Sequence, residues 1–109
     1  MKEIKAYIKK HKLDDVIRAL RKIEGLTGMS VIDSSGYGIG WRDAKGEGET
    51  NRRPGVKVEI ICRDDLVDEV VTAIEKAAHT GLKGDGKIYV SGIEQVVRIS
   101  TGERGEGAV

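Results

Sequence analysis

The order of periodicities along this chain predicts an α+β domain. Apolar residues alternate at Ile4, Ala6 and Ile8 and recur at helical spacing from Leu13 to Ile23. They alternate again at Val56, Val58, Ile60 and Cys62, then return to helical spacing from Leu66 to Ala78. Strand, helix, strand, long loop, strand, helix, strand reads as two βαβ-like halves forming a ferredoxin-like βαββαβ sandwich. Asp-Asp pairs open both helical stretches, at Asp14-Asp15 and Asp64-Asp65, as two related halves would.

Each element has its own reason. In residues 3–9 the polar set Glu3, Lys5, Tyr7 and Lys9 faces away from Ile4, Ala6 and Ile8, the mark of a half-buried strand. The first helix carries Leu13, Val16, Ile17, Leu20 and Ile23 on one side, acids in its first turn and Arg21 and Lys22 near its end, which suits the helix dipole. Gly25 is placed to end it. A second strand is expected from Met29 towards Tyr37. Residues 38–55 hold the only proline, several glycines and many charges, and are expected to form a long flexible loop. The second helix, from Asp64 to Ala78, is followed by a glycine-rich loop and a strand at Lys87–Val90. Val96–Ile99 is expected to be a further short extended piece. The tail, 102–109, has few apolar groups and is expected to be mobile. The whole of 1–109 is read as one domain.

Totals narrow the function classes. A net charge of +1 gives no global attraction to nucleic acid or an acidic membrane. The chain has no Phe, so its core must be aliphatic, and its single cysteine, Cys62, allows no internal disulfide. No apolar run reaches membrane-spanning length and no signal-peptide pattern opens the chain, so a cytoplasmic location without membrane insertion is expected. His11, Cys62 and His79 have no ligand spacing, so no metal site is expected. No Ser-His-Asp or Cys-His arrangement can be argued, so no catalytic residue is named and an enzyme is not expected.

The stretch richest in chemical signal is Thr80-Gly81-Leu82-Lys83-Gly84-Asp85-Gly86-Lys87. Glycines let a backbone take positive φ or come close to a ligand. The amides freed in such a loop can face an anion, with Lys87 adding charge. Asp85 suits a tight turn and could also accept a bond from a ribose hydroxyl or a neighbouring chain.

This loop, with Ile88 and Val90, resembles the second signature of the PII signal-transduction proteins (nitrogen regulatory protein P-II), with Tyr89 where Phe or Trp is usual. Met1–Ala6, Lys12–Val16, Thr27–Met29, Gly36–Gly38, Val56–Ile60, Val97–Ile99 and Thr101–Glu103 also resemble that family. The likeness covers nearly the whole chain apart from roughly 39–53. It implies a homotrimer with sheets facing inward, which would cover the apolar groups on the sheet face away from the helices. It further implies a regulator that binds ATP or ADP between subunits.

Carried over residue by residue, the resemblance puts Gly36, Tyr37 and Gly38 at the base of the long loop. Gly84, Asp85, Gly86 and Lys87 lie on the phosphates, and Arg98 reaches them from the neighbouring chain. Gly28, Met29, Ser30, Glu59 and Ile61 lie around base and ribose. Residues 39–55, the family's T-loop, are implied to contact a membrane transporter or a metabolic enzyme, with Trp41 and Arg52-Arg53 as a candidate tip.

Departures matter too. Ser100 stands where a second Arg is usual, so weaker triphosphate binding or a shift of preference towards ADP or AMP is expected. No Tyr lies within 39–55, so uridylylation is not expected. Gly40 and Gly55 fall where a Gln and a Lys would serve magnesium and 2-oxoglutarate, so magnesium stays open and 2-oxoglutarate is not expected. The alternatives are a PII-like regulator of a non-ammonium transporter or process answering to ADP or AMP, an RNA-binding ferredoxin-like module, and a small phosphatase-like enzyme. The second has few aromatics and lacks an RNP motif, and the third has no nameable base.

Overall fold

Strand β1 (Lys2–Lys9) sits between two antiparallel neighbours, β3 (Arg52–Cys62) and β4 (Lys87–Gly92). Strand β2 (Ser30–Tyr37) pairs with the far side of β3, giving the order β2-β3-β1-β4. This is the βαββαβ arrangement that the periodicities predict. The computed structural model describes residues 1–37 and 52–109. Helices α1 (Leu13–Arg21) and α2 (Val67–Ala78) lie together on one sheet face.

Alternation decides which face they cover. Ile4, Ala6 and Ile8 of β1 and Val56, Val58, Ile60 and Cys62 of β3 are buried with Val16, Leu20, Ile23, Val70 and Ile74 from the helical side. Each such large aliphatic side chain contributes about 1.5–3 kcal/mol, against the entropy of ordering it. Burial also pushes the Cys62 thiol above its ordinary value, so it stays a protonated core residue. Beyond α1 the chain turns through Gly25 at φ 90°.

The structure departs from the sequence expectation in two places. Strand β3 begins at Arg52, so residues 52–55 are strand and not part of a long loop. Arg52 and Arg53 stand opposite Tyr37 and Gly36. They are exposed, so no alternation reveals them, and Pro54 is tolerated because β1 pairs with β3 only as far as Gly55.

The second departure is the tail, which folds back. The Gly105 amide donates to the Val96 carbonyl at 3.1 Å and the Arg98 amide to the Glu103 carbonyl at 2.8 Å. A single 3-10 turn, Glu106–Ala108, then buries Ala108. Backbone bonds hold it, which composition does not report. The short extended piece at Val96–Ile99 joins no sheet strand: Val97 makes one isolated bridge to Arg104, and Ile99 is 99% exposed.

The open sheet face is more polar than expected. Around Tyr7, Tyr89, Ile32 and Ile61 it carries Lys57 paired with Glu59 at 2.8 Å and Lys5 with Glu3 at 3.4 Å. Tyr7 and Tyr89 meet edge-to-face at 6.0 Å, with the Lys57 ammonium 5.9 Å from the Tyr7 ring centre.

Candidate functional site

The glycine loop between α2 and β4 is organised by Asp85. Its carboxylate accepts the Thr80 amide at 2.8 Å, the Gly81 amide at 3.2 Å and the Thr80 hydroxyl. Lys9, the last residue of β1, reaches the same carboxylate at 3.1 Å and the Thr80 hydroxyl at 3.2 Å, while the Leu82 amide donates to that hydroxyl at 3.0 Å. His79 Nδ1 lies 3.6 Å from Asp85. These bonds, the Thr80 hydroxyl first, hold the Asp85 carboxyl well below the usual carboxylate range. Asp85 therefore shapes the loop, and its oxygens are already engaged. Gly81, Gly84 and Gly86 all take positive φ (81°, 81° and 101°). Gly86 passes so close to β1 that a Cβ would lie 1.6 Å from the Tyr7 carbonyl oxygen.

The loop forms one wall of an open cleft of about 400 Å³. The floor and far wall come from the ends of β1, β2 and β3: Ile8 and Lys9, Ser34 to Gly36, and Arg53 to Gly55. Pairing explains this meeting. Lys9 stands opposite Gly55, Gly55 opposite Ser34, and Gly36 opposite Arg53, so three strand ends present one rim. Among the described residues, Lys9, Arg53 and Lys83 line the cleft and no carboxylate does, which suits an anionic ligand.

A second cleft opens at the other end of the sheet. Glu3, Gly28, Met29, Ser30, Glu59, Ile61 and the tail residues Ala108 and Val109 border it. The hydrogen bond from Lys57 holds the Glu59 carboxyl low, and the same bond raises Lys57. Glu3 is six residues from Lys9 along β1, so the two clefts lie about 20 Å apart. Arg98, on the tail hairpin, donates to the Val109 carbonyl at 3.4 Å.

A family model described as "Nitrogen regulatory protein P-II" matches residues 1–103. The chain belongs to the P-II family. Among relatives, proteins named nitrogen regulatory protein P-II from Azospirillum brasilense, Bradyrhizobium diazoefficiens and Mesorhizobium japonicum are 44%, 45% and 47% identical to it. Each alignment covers the whole of both chains. The P-II resemblance read from the glycine loop and its neighbours is thus shown, and with it a regulator of the P-II type.

The candidate ligand residues fall into two groups. Gly36, Gly84 and Gly86 share the first cleft, while Gly28, Met29, Ser30, Glu59 and Ile61 share the second. Tyr37 is at the end of β2 and 64% exposed. Lys87 stands at the head of edge strand β4, opposite Tyr7. Gly38, like Gly40 and Trp41, lies outside the described residues. Sequence reasoning passed over Lys9, Ser34 and Lys83. Lys9 read as one more polar strand residue, and only the register of β1 against the glycine loop gives it a task.

Proposed function

We propose that this P-II family member is an adenine-nucleotide-binding signalling regulator that works as a homotrimer in the cytoplasm. It acts on a membrane transporter or a metabolic enzyme through residues 39–55. The observation that carries the reading is the division of the candidate residues between two clefts about 20 Å apart. One nucleotide cannot touch both within one chain. A second copy that sets its Gly28–Ser30 end against the glycine loop of the first completes a site, with the phosphates on the amides of Gly84 and Gly86 and on Lys87, and Arg98 coming from the neighbour. The ligand then contacts the strand ends Gly36 and Arg53, which flank residues 38–51, so nucleotide state biases the segment that meets the target.

Light scattering at micromolar concentration should give three times the chain mass, and a monomer would overturn the shared site. Calorimetry with ADP should show Lys87→Ala weakening binding by about tenfold, since a charge-assisted phosphate bond is worth about 1.5–3 kcal/mol. Unchanged affinity would remove Lys87 from the phosphate site.

A response to ADP or AMP without 2-oxoglutarate is the finer part of this reading. Gly55 offers neither a metal ligand nor a charge, and a Cβ there would already lie 3.0 Å from the Ile8 carbonyl oxygen. ATP titrated with magnesium, with and without 2-oxoglutarate, should show less than a fivefold change in affinity. A larger gain would mean the acid is sensed.

A further inference from the structure

We propose that the end of the sheet bearing the glycine loop is a docking surface for an anionic lipid bilayer, met at headgroup level by Lys10, Arg52 and Lys83 with Leu82 and Tyr37 as apolar tips. The inference goes beyond the reading above and draws from it only the homotrimer.

Charge is divided along the sheet although the chain total is only +1. Strand β1 separates the two ends by about 20 Å. At its Lys2 end, Asp64, Asp65, Asp68 and Glu69 gather where α2 begins, and the Met1 ammonium reaches Asp64 at 2.7 Å. At its Lys9 end the carboxylates are mostly engaged. Asp85 is held inside the glycine loop with Lys9, and Asp15 meets Arg18 at 3.1 Å and Lys12 at 3.7 Å. Beyond the Lys9–Gly55 pair, Lys10, Arg52 and Lys83 are exposed and have no ion-pair partner among the described residues. Asp14 stands against them at the start of α1. Asp33 and Glu75 lie further in, on β2 and α2.

Large apolar side chains are exposed on the same rim. Leu82, 73% exposed, stands in the glycine loop next to Lys83, and the exposed Tyr37 pairs across the ladder with Arg52. An apolar group beside a cation suits the bilayer boundary: headgroups meet the charge, and the leucine or the tyrosine ring enters the layer just beneath. Lys10 follows β1 in the 3-10 turn Lys10–Lys12, Arg52 opens β3 and Lys83 belongs to the loop, so the charge is spread along a rim. A plane of headgroups answers that spread better than one bound anion does. One rim binds weakly, but a threefold axis turns three of them to the same side of the assembly, and their contacts then act together.

The test is co-sedimentation of the full chain with vesicles of phosphatidylcholine alone, or with about 30% phosphatidylglycerol, at about 0.1 M salt. The wild-type protein should pellet with the anionic vesicles and not with the neutral ones, and about 0.5 M salt should release it. Lys10→Gln with Lys83→Gln should weaken binding by about tenfold or more, and Leu82→Ser by about threefold. Arg21→Gln with Lys22→Gln removes the same charge from the far end of α1 and should stay within about twofold. Light scattering on each sample separates loss of the trimer from loss of lipid contact. Equal binding to both kinds of vesicle, or an equal loss in the two double variants, overturns the proposal. Binding to neither vesicle also overturns it and leaves the rim to an acidic protein surface. Competition by about 5 mM inorganic phosphate at constant ionic strength would mean a single-anion site in place of a bilayer surface, and the proposal would fail on that result too.

Discussion

Gly86→Val should cost more than about 3 kcal/mol and leave little folded protein at room temperature. The reason is local and rigid. The residue sits at φ 101°, a conformation that side chains with a Cβ rarely adopt, and a Cβ would fall 1.6 Å from the Tyr7 carbonyl oxygen and 2.7 Å from its carbon. Those are backbone atoms of β1, the strand between β3 and β4, and they cannot yield without opening the sheet. Gly28→Ala is the contrast. Nothing lies within 4 Å of a Cβ there, so stability should stay within about 0.5 kcal/mol. Urea denaturation midpoints of the two variants measure the difference. A Gly86→Val protein within 1 kcal/mol of wild type would mean that the loop does not pack on β1 in this way.

That close passage also bears on what glycine is for here. Gly86 lies one residue after Asp85, and pinning it to Tyr7 brings the Asp85 carboxylate within reach of Lys9 at the end of the same strand. Backbone packing and loop chemistry are therefore one arrangement. A variant that relaxes the first should also lose the second.

Much of the fold was legible because burial enforces a period. Ile4, Ala6 and Ile8 announce β1, and Val16 and Leu20 announce α1, since each needs its apolar neighbours on one side. Where nothing is buried, the signal vanishes. Arg52 and Arg53 belong to β3 through hydrogen bonds to β2 alone, so they read as loop. The tail was misread for the same reason, since Gly105 and Arg98 are tied by backbone bonds that no side chain reports. At the candidate site the residue types were visible and the grouping was not. Glu59 and Gly84 both suit a nucleotide, but only the strand register shows that they stand at opposite ends of one sheet. Asp85 looked like a ligand contact because an acid among glycines suits a ribose as well as it suits a turn. Its partners, Thr80 and Lys9, decide for the turn.

Asp85→Asn should therefore act on the loop first and on ligands as a consequence, with a loss of ADP affinity larger than the tenfold expected for Lys87→Ala. The amide keeps the size of the carboxylate but brings two donors to a place where Thr80 and Gly81 amides, the Thr80 hydroxyl and Lys9 all donate. At least one of these donors must lose its acceptor, and the loop that positions Gly84 and Gly86 should open. The acid dependence of stability gives an independent reading. A carboxyl whose folded-state value is depressed contributes stability that is fully present above its unfolded value, about 4, and lost as pH falls from there towards the folded value. Glu59, Asp64 and Asp65 are held low as well and contribute with the same sign, so wild-type stability should fall steeply below pH 4. Asp85→Asn removes one of these groups and should flatten that fall. Denaturation midpoints measured from pH 7 to pH 3 for both proteins would test it: the variant should start lower and converge on wild type in acid. Parallel curves would show that the Asp85 carboxylate is not held by the loop, and the account of how the glycine loop is shaped would fail with it.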